Sequence, residues 1–185
     1  MVIHLCLLFI PILTIEFTHT LTSRSYIYLW RDLLMPSSTF SKEIAVPIEE
    51  IWRFISDISK WGTLVPGQIE YQHVNATQSI WNFTGDVGFI KKEIKLRLDI
   101  IDWQERSKIT FRLTGLNENF SGNGYFIIKS LKQMKTSITV KLTIVAKGMT
   151  GPMINTLIKP FLPKALKYVT NSMAKEVTKR PLVAN

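Results

Sequence analysis

The feature that most limits the fold of this chain is a long apolar stripe near its C-terminus. Between Gly151 and Lys179, apolar residues recur at the 3.6-residue spacing of an α-helix. They are Met153, Ile154, Leu157, Ile158, Phe161, Leu162, Ala165, Leu166, Val169, Met173 and Val177. A helix with such a stripe has to bury it against another element. The strand-rich segment from about Thr39 to Ala146 is long enough to form a sheet around it.

Two prolines interrupt this helical pattern. Pro160 and Pro163 each lack a backbone N–H group, so we expect a kink or a break at this point. One interpretation is a helix that bends to follow a curved sheet. The alternative is a hinge that opens a cavity between the helix and the sheet.

The middle of the chain alternates between apolar and polar residues, as strands with one buried face do. The clearest alternation runs through Ile90–Trp103, and shorter examples surround Phe111 and Val140. Before these strands, Pro47 and Asp57 predict the starts of two short helices. The order predicts an α+β chain in which six to seven antiparallel strands wrap around the C-terminal helix, with two short helices after the first strand.

Composition excludes several kinds of site. Cys6 is the only cysteine, so neither an intrachain disulfide nor a cysteine zinc site is expected. His73 is the only histidine after Met35, and its polar neighbours favour a surface position. No phosphate-binding loop or activated nucleophile is present. We therefore predict no catalytic residue, no metal and no cofactor.

The first 34 residues differ from the rest of the chain. They begin with an apolar run that is too short to span a bilayer and has no basic residue before it. One codon choice for Trp30–Asp32 would encode a purine-rich ribosome-binding sequence just upstream of Met35. We interpret residues 1–34 as an extension that results from a misassigned start or is disordered, with an export or anchoring segment as the alternative. Residues 35–185 are predicted to form a single domain.

Several short motifs resemble those of a known superfamily. They are Ala45-Val46-Pro47, Ser56-Asp57-Ile58, Leu64-Val65-Pro66-Gly67, Gly85-Asp86-Val87-Gly88, Gly122-Asn123-Gly124-Tyr125 and Lys147-Gly148-Met149. In this order they resemble the START-like helix-grip (SRPBCC) superfamily, and within it the G-subunit proteins of carbon monoxide dehydrogenase and the polyketide cyclase-like proteins. The turn Lys135-Thr136 lacks the glycine that the dehydrogenase-linked proteins have there.

The resemblance implies an apolar cavity between the curved sheet and the C-terminal helix. We expect it to hold a lipid-, quinone- or polyketide-like molecule without catalysis, with delivery at a membrane or to a redox enzyme as an associated role. A cyclase- or aromatase-like enzyme and a membrane-recruitment module are the alternatives. The predicted cavity residues are Trp81, Phe83, Leu96, Leu98, Phe111, Leu113, Val140 and Leu142 from the sheet, and Met153, Leu157, Phe161 and Leu162 from the helix.

Positive charge is the second functional clue. The chain has 23 Lys and Arg against 14 Asp and Glu, a net charge of +9. Lys164, Lys167 and Lys175 fall on the polar side of the predicted helix, where they either solubilise the protein or contact an anionic membrane. No stacking platform or recognition helix indicates nucleic-acid binding. The expected location is cytoplasmic, and contact with an anionic membrane would make the protein peripheral to it.

Overall fold

The computed structural model describes residues 35–65, 69–87 and 90–179. The seven strands are β1 (Ser37–Ile44), β2 (Ile69–Asn75), β3 (Gln78–Val87), β4 (Ile90–Gln104), β5 (Lys108–Gly115), β6 (Phe120–Lys132) and β7 (Lys135–Ala146). The helices are α1 (Ile48–Ile55), a 3-10 helix (Ile58–Leu64), α2 (Gly151–Ile158) and α3 (Leu162–Thr178). The predictions for residues 1–34 lie outside the described residues.

All seven strands join one antiparallel sheet in the order β1-β7-β6-β5-β4-β3-β2. The register places apolar side chains of neighbouring strands opposite one another on one surface, which we call the inner face. On this face Leu98 lies opposite Leu113, and Phe126 lies opposite Val140. The helices pack on the same face, so the predicted helix-grip architecture is confirmed.

The two short helices after β1 fold as their sequences indicate. In α1, Ile51 and Ile55 are one turn apart and both are buried. Asp57 caps the N-terminus of the 3-10 helix, because its carboxylate accepts a hydrogen bond of 3.1 Å from the amide of Ser59. The Trp61 indole N–H donates to the carbonyl of Ile55 at 2.9 Å and thereby ties the two helices together.

The C-terminal apolar stripe forms two helices instead of one. Helix α2 ends at Ile158, a turn covers Lys159–Phe161, and α3 begins at Leu162. The break therefore falls where the prolines predicted it. Helix α3 packs most closely against β1, and the Lys42 ammonium group of β1 donates to the Asn171 side chain of α3 at 2.6 Å. Its buried residues are Leu162, Leu166, Thr170, Met173, Ala174 and Val177.

Candidate functional site

The eight predicted cavity residues of the sheet share the inner face. Trp81, Leu96, Leu98, Phe111, Leu113 and Val140 are buried, while Phe83 and Leu142 are half-buried. Cross-strand pairing brings them together, because Trp81 lies opposite Leu96 and Phe83 opposite Ile94. Alternation along the strands was enough to predict this surface.

Three of the four predicted helix residues do not face the sheet. Met153, Leu157 and Phe161 are 59%, 41% and 45% exposed, whereas Leu162 is 4% exposed. The prediction that these three line a cavity is wrong because it assumed one continuous helix with its apolar side turned inward. The break after Ile158 gives α2 an orientation of its own.

Polar and small residues set the orientation of α2. The Asn155 side chain accepts a hydrogen bond from the Ala146 amide at 2.8 Å and donates to the Ala146 carbonyl at 3.1 Å. One turn earlier, a Cβ on Gly151 would lie 2.6 Å from the Ala146 carbonyl oxygen, so only glycine fits there. Both residues are buried against the end of β7. Helix α2 therefore presents Met153 and Leu157 to solvent, while Ile154 and Ile158 are half-buried.

An aromatic cluster fills the centre of the inner face. The Trp61 ring packs edge-on against Phe111 and Phe126, with centroid distances of 5.4 Å and 4.8 Å. Room for the Phe111 ring comes from Gly124 on the neighbouring strand, where a Cβ would lie 2.5 Å from Phe111 Cζ. Gly124 had no role assigned from sequence, although a glycine inside a strand indicates a close approach of this kind.

Two polar groups that sequence reasoning missed lie at the β2–β3 side of the inner face. The Ser79 hydroxyl is buried and accepts a hydrogen bond of 2.8 Å from the Trp81 indole. The buried Tyr71 hydroxyl has no hydrogen-bond partner among the described residues, and its ring packs edge-on against Trp81 at 6.2 Å. Burial, and then the negative charge of Asp57, raise the pKa of Tyr71, so the hydroxyl keeps its proton.

A pocket of about 160 Å³ lies on the opposite, outer face of the sheet. It is lined by Met35, Arg112, Ser121, Gly122, Asn123, Thr143 and Val145. Arg112, Asn123 and Thr143 are cross-strand neighbours that alternate with the inner-face residues, so this pocket is distinct from the predicted cavity. Two further polar side chains are hydrogen-bonded within the protein. Asn82 donates to Glu93 on the outer face at 2.8 Å, and Asn117 hydrogen-bonds to the Lys95 amide.

The three lysines proposed to contact a membrane, Lys164, Lys167 and Lys175, are all exposed on α3. Within the described part of the chain, no helix is long and apolar enough to cross a bilayer. The same residues contain no group of three His, Cys, Asp or Glu side chains placed to hold a metal ion. His73 is exposed, as its polar neighbours indicated.

Comparison with known proteins supports the fold independently. No curated protein matches the chain. The ZhuI aromatase/cyclase from Streptomyces sp. R1128 is similar with a TM-score of 0.63 and 14% identity, covering 79% of this chain and 95% of that one. A START superfamily protein from Mycobacterium smegmatis gives 0.60 and 18%, with 77% and 97% covered. A norcoclaurine synthase from Thalictrum flavum gives 0.60 and 16%, with 78% and 95% covered.

At these identities the solved structures establish the fold and not the activity. A protein-family model also matches residues 37–181, which span β1 to the end of α3 and so cover the whole architecture described above. The chain belongs to the START-like helix-grip (SRPBCC) superfamily.

Proposed function

We propose that this protein binds a hydrophobic small molecule on the β2–β5 half of its inner face and does not transform it. The observation that supports this most is the combination of an apolar surface with one unpaired polar group. Trp81, Leu96, Leu98 and Leu113 form the surface, and the Tyr71 hydroxyl lies beside it. Ligand sites are mostly apolar, with a few polar groups that fix orientation.

The chemistry of Tyr71 narrows the class of ligand. A hydroxyl that stays protonated donates a hydrogen bond, and a buried donor without a partner costs free energy that a ligand acceptor recovers. The preferred ligand is therefore a largely apolar molecule, lipid-, quinone- or polyketide-like, that carries a carbonyl or ether oxygen.

A neutral fluorescent probe such as Nile red tests the binding site. Leu113→Phe adds bulk to the inner face, and Leu116→Phe makes the same change three residues away at a side chain that is 46% exposed. If the inner face admits a ligand, Leu113→Phe lowers probe affinity at least roughly tenfold and Leu116→Phe leaves it unchanged. If the face is closely packed instead, Leu113→Phe costs about 1–3 kcal/mol of stability, because an overfilled core has to shift. That loss, without probe binding by the wild-type protein, would refute the proposal.

A cyclase- or aromatase-like enzyme is the second candidate. The unpaired Tyr71 hydroxyl favours it, because a proton donor beside an apolar surface can polarise a carbonyl group. Two of the similar structures are named as an aromatase/cyclase and a norcoclaurine synthase. Turnover of an aromatic polyketide substrate that is lost in Tyr71→Phe while probe binding persists would favour the enzyme.

Native mass spectrometry of protein purified from its own host would identify a retained ligand. A closer relation to the carbon monoxide dehydrogenase G-subunit proteins stays a prediction, and so does delivery of the ligand to a redox enzyme or at an anionic membrane. In the sequence, the prediction of membrane delivery rests only on the lysines of α3.

A further inference from the structure

Four exposed apolar side chains form a row along α2 and the turns at its two ends. Met149, Met153, Leu157 and Phe161 follow one another at intervals of four residues, and we call them the α2 stripe. Their exposed fractions are 101%, 59%, 41% and 45%. An interval of four residues keeps side chains on one side of a helix. Within α2 this spacing places Met153 and Leu157 on one side of the helix, and Met149 and Phe161 lie in the turns that flank it. We call this exposed apolar row the ridge.

The ridge is held in place by the structure. Because Asn155 and Gly151 occupy the buried side of α2, the helix cannot rotate its apolar side chains inward without breaking both hydrogen bonds to Ala146. A polar residue thus takes the position that an apolar residue would take in an ordinary surface helix. The exposure of the stripe is a fixed property of this fold.

Exposed lysines flank the stripe residues in the sequence. Lys147, Lys159, Lys164 and Lys167 precede or follow the stripe residues and are all exposed. We call them the basic rim. The sequence contains no Asp or Glu from Asn119 to Lys175. The four lysines of the basic rim therefore have no acidic neighbour within this stretch of the sequence.

From these observations we infer that the α2 stripe inserts into the headgroup region of an anionic lipid bilayer, with the basic rim on the lipid phosphates. Lysines beside exposed apolar residues suit a lipid surface, where their long stems reach the headgroups. Protein interfaces, in contrast, are depleted in lysine. Helix α2 is only about 12 Å long at 1.5 Å per residue, which is short for a stable protein interface but sufficient for shallow insertion.

This inference deepens the delivery part of the proposed function and assigns it to a different surface from the one the sequence predicted. From sequence, the lysines were expected on a polar helix side opposite an apolar side that faced a cavity. In the structure, the apolar side chains and the lysines are exposed together.

Co-sedimentation with vesicles tests the inference. The wild-type protein should bind phosphatidylcholine vesicles that contain phosphatidylserine, bind pure phosphatidylcholine weakly, and bind less at physiological than at low salt. Replacing Lys159, Lys164 and Lys167 by Gln should lower the partition coefficient roughly a hundredfold, since each lysine near an anionic surface contributes about a factor of five. Replacing the four stripe residues by Ser should lower it at least about tenfold.

The β6–β7 hairpin offers a matched control. Leu131 and Met134 are each 45% exposed and lie beside Lys132 and Lys135, at the other end of β7 from α2. The double variant Leu131→Ser/Met134→Ser should bind vesicles as the wild type does. Equal wild-type binding to both lipid compositions would overturn the inference. Undiminished binding by the stripe variant, or an equal loss in the hairpin variant, would do the same.

A second measurement does not require the multiply substituted stripe and lysine variants to fold. A dye on Leu157→Cys, in a chain with Cys6→Ser, should shift to shorter emission wavelengths with anionic vesicles, and a dye on Leu131→Cys should not. The stripe variant should take up Nile red normally, while Leu113→Phe should bind vesicles normally. Failure of membrane docking is therefore distinguishable from failure of ligand binding.

Discussion

The contact between Asn155 and Ala146 allows a quantitative test of why α2 turns its apolar side outward. In Asn155→Ala, the Ala146 amide and carbonyl groups both lose a partner that the native chain places at 2.8 Å and 3.1 Å. Each buried, unsatisfied backbone group costs about 1–3 kcal/mol. The higher helix propensity of alanine returns up to about 0.7 kcal/mol. The net loss should therefore be about 1–6 kcal/mol.

Hydrogen exchange is the suitable assay because α2 can open without unfolding the sheet. A loss of about 1–6 kcal/mol should speed exchange at the Ala146 amide and the α2 amides by roughly tenfold to 20,000-fold. Core amides such as that of Ile138 should change much less. The Nile red affinity of the inner face should also stay the same.

The neighbouring residue supplies the control. Thr156 is exposed, and its hydroxyl donates to the Pro152 carbonyl within the same helix at 2.9 Å. Thr156→Ala should change the free energy of opening measured by exchange by less than about 0.5 kcal/mol, as exposed substitutions usually do. Unchanged exchange in Asn155→Ala, or equal effects in both variants, would refute the argument that Asn155 sets the orientation of α2.

Three further predictions concern the core and its charges. Gly124→Ala should lower stability by about 1–3 kcal/mol in urea denaturation, whereas Gly62→Ala, where a Cβ meets nothing within 4 Å, should not. A hydrogen bond from Lys60 lowers the pKa of Asp57 below 3.8, so its contribution to stability is present above that pH and lost as the pH falls through the folded value. Asp57→Asn should therefore flatten the acid limb of the stability profile. The pKa of Tyr71 is raised above 10.0, so stability should fall as the pH rises beyond 10.0, and Tyr71→Phe should remove that part of the fall.

The sheet and its inner face could be predicted because their signal repeats. The side chains of a strand alternate between two faces. The face occupied by residues such as Leu96 and Leu98 can therefore be predicted from the strand's own sequence. The helix break at Pro160 was predictable for a similar reason, since proline acts on its own backbone. Local rules of this kind predicted the fold class and the face of the sheet that the eight strand residues share.

The orientation of α2 depends on a contact that no local rule contains. Met153 and Leu157 have the spacing of a buried stripe, and Asn155 between them has the appearance of a surface residue. Only the position of the Ala146 backbone at the end of β7 reverses these roles. The same applies to Tyr71, whose unpaired hydroxyl depends on its surroundings and not on its neighbours in sequence.

The titratable groups of the inner face bear on how a ligand could be held there. Among the described strand residues, Lys42, Tyr71 and His73 lie on this face, and the register also places Lys92 on it, opposite Gly85. Lys42 is engaged with Asn171, His73 is exposed at the sheet edge, and the raised pKa of Tyr71 makes it a donor and not a base near neutral pH. Cyclisation of a polyketide-like substrate needs a group that removes a proton as well as one that polarises a carbonyl. Tyr71 can supply the second of these groups, and the same proton donor can hold and orient a ligand, which is what the proposed carrier requires.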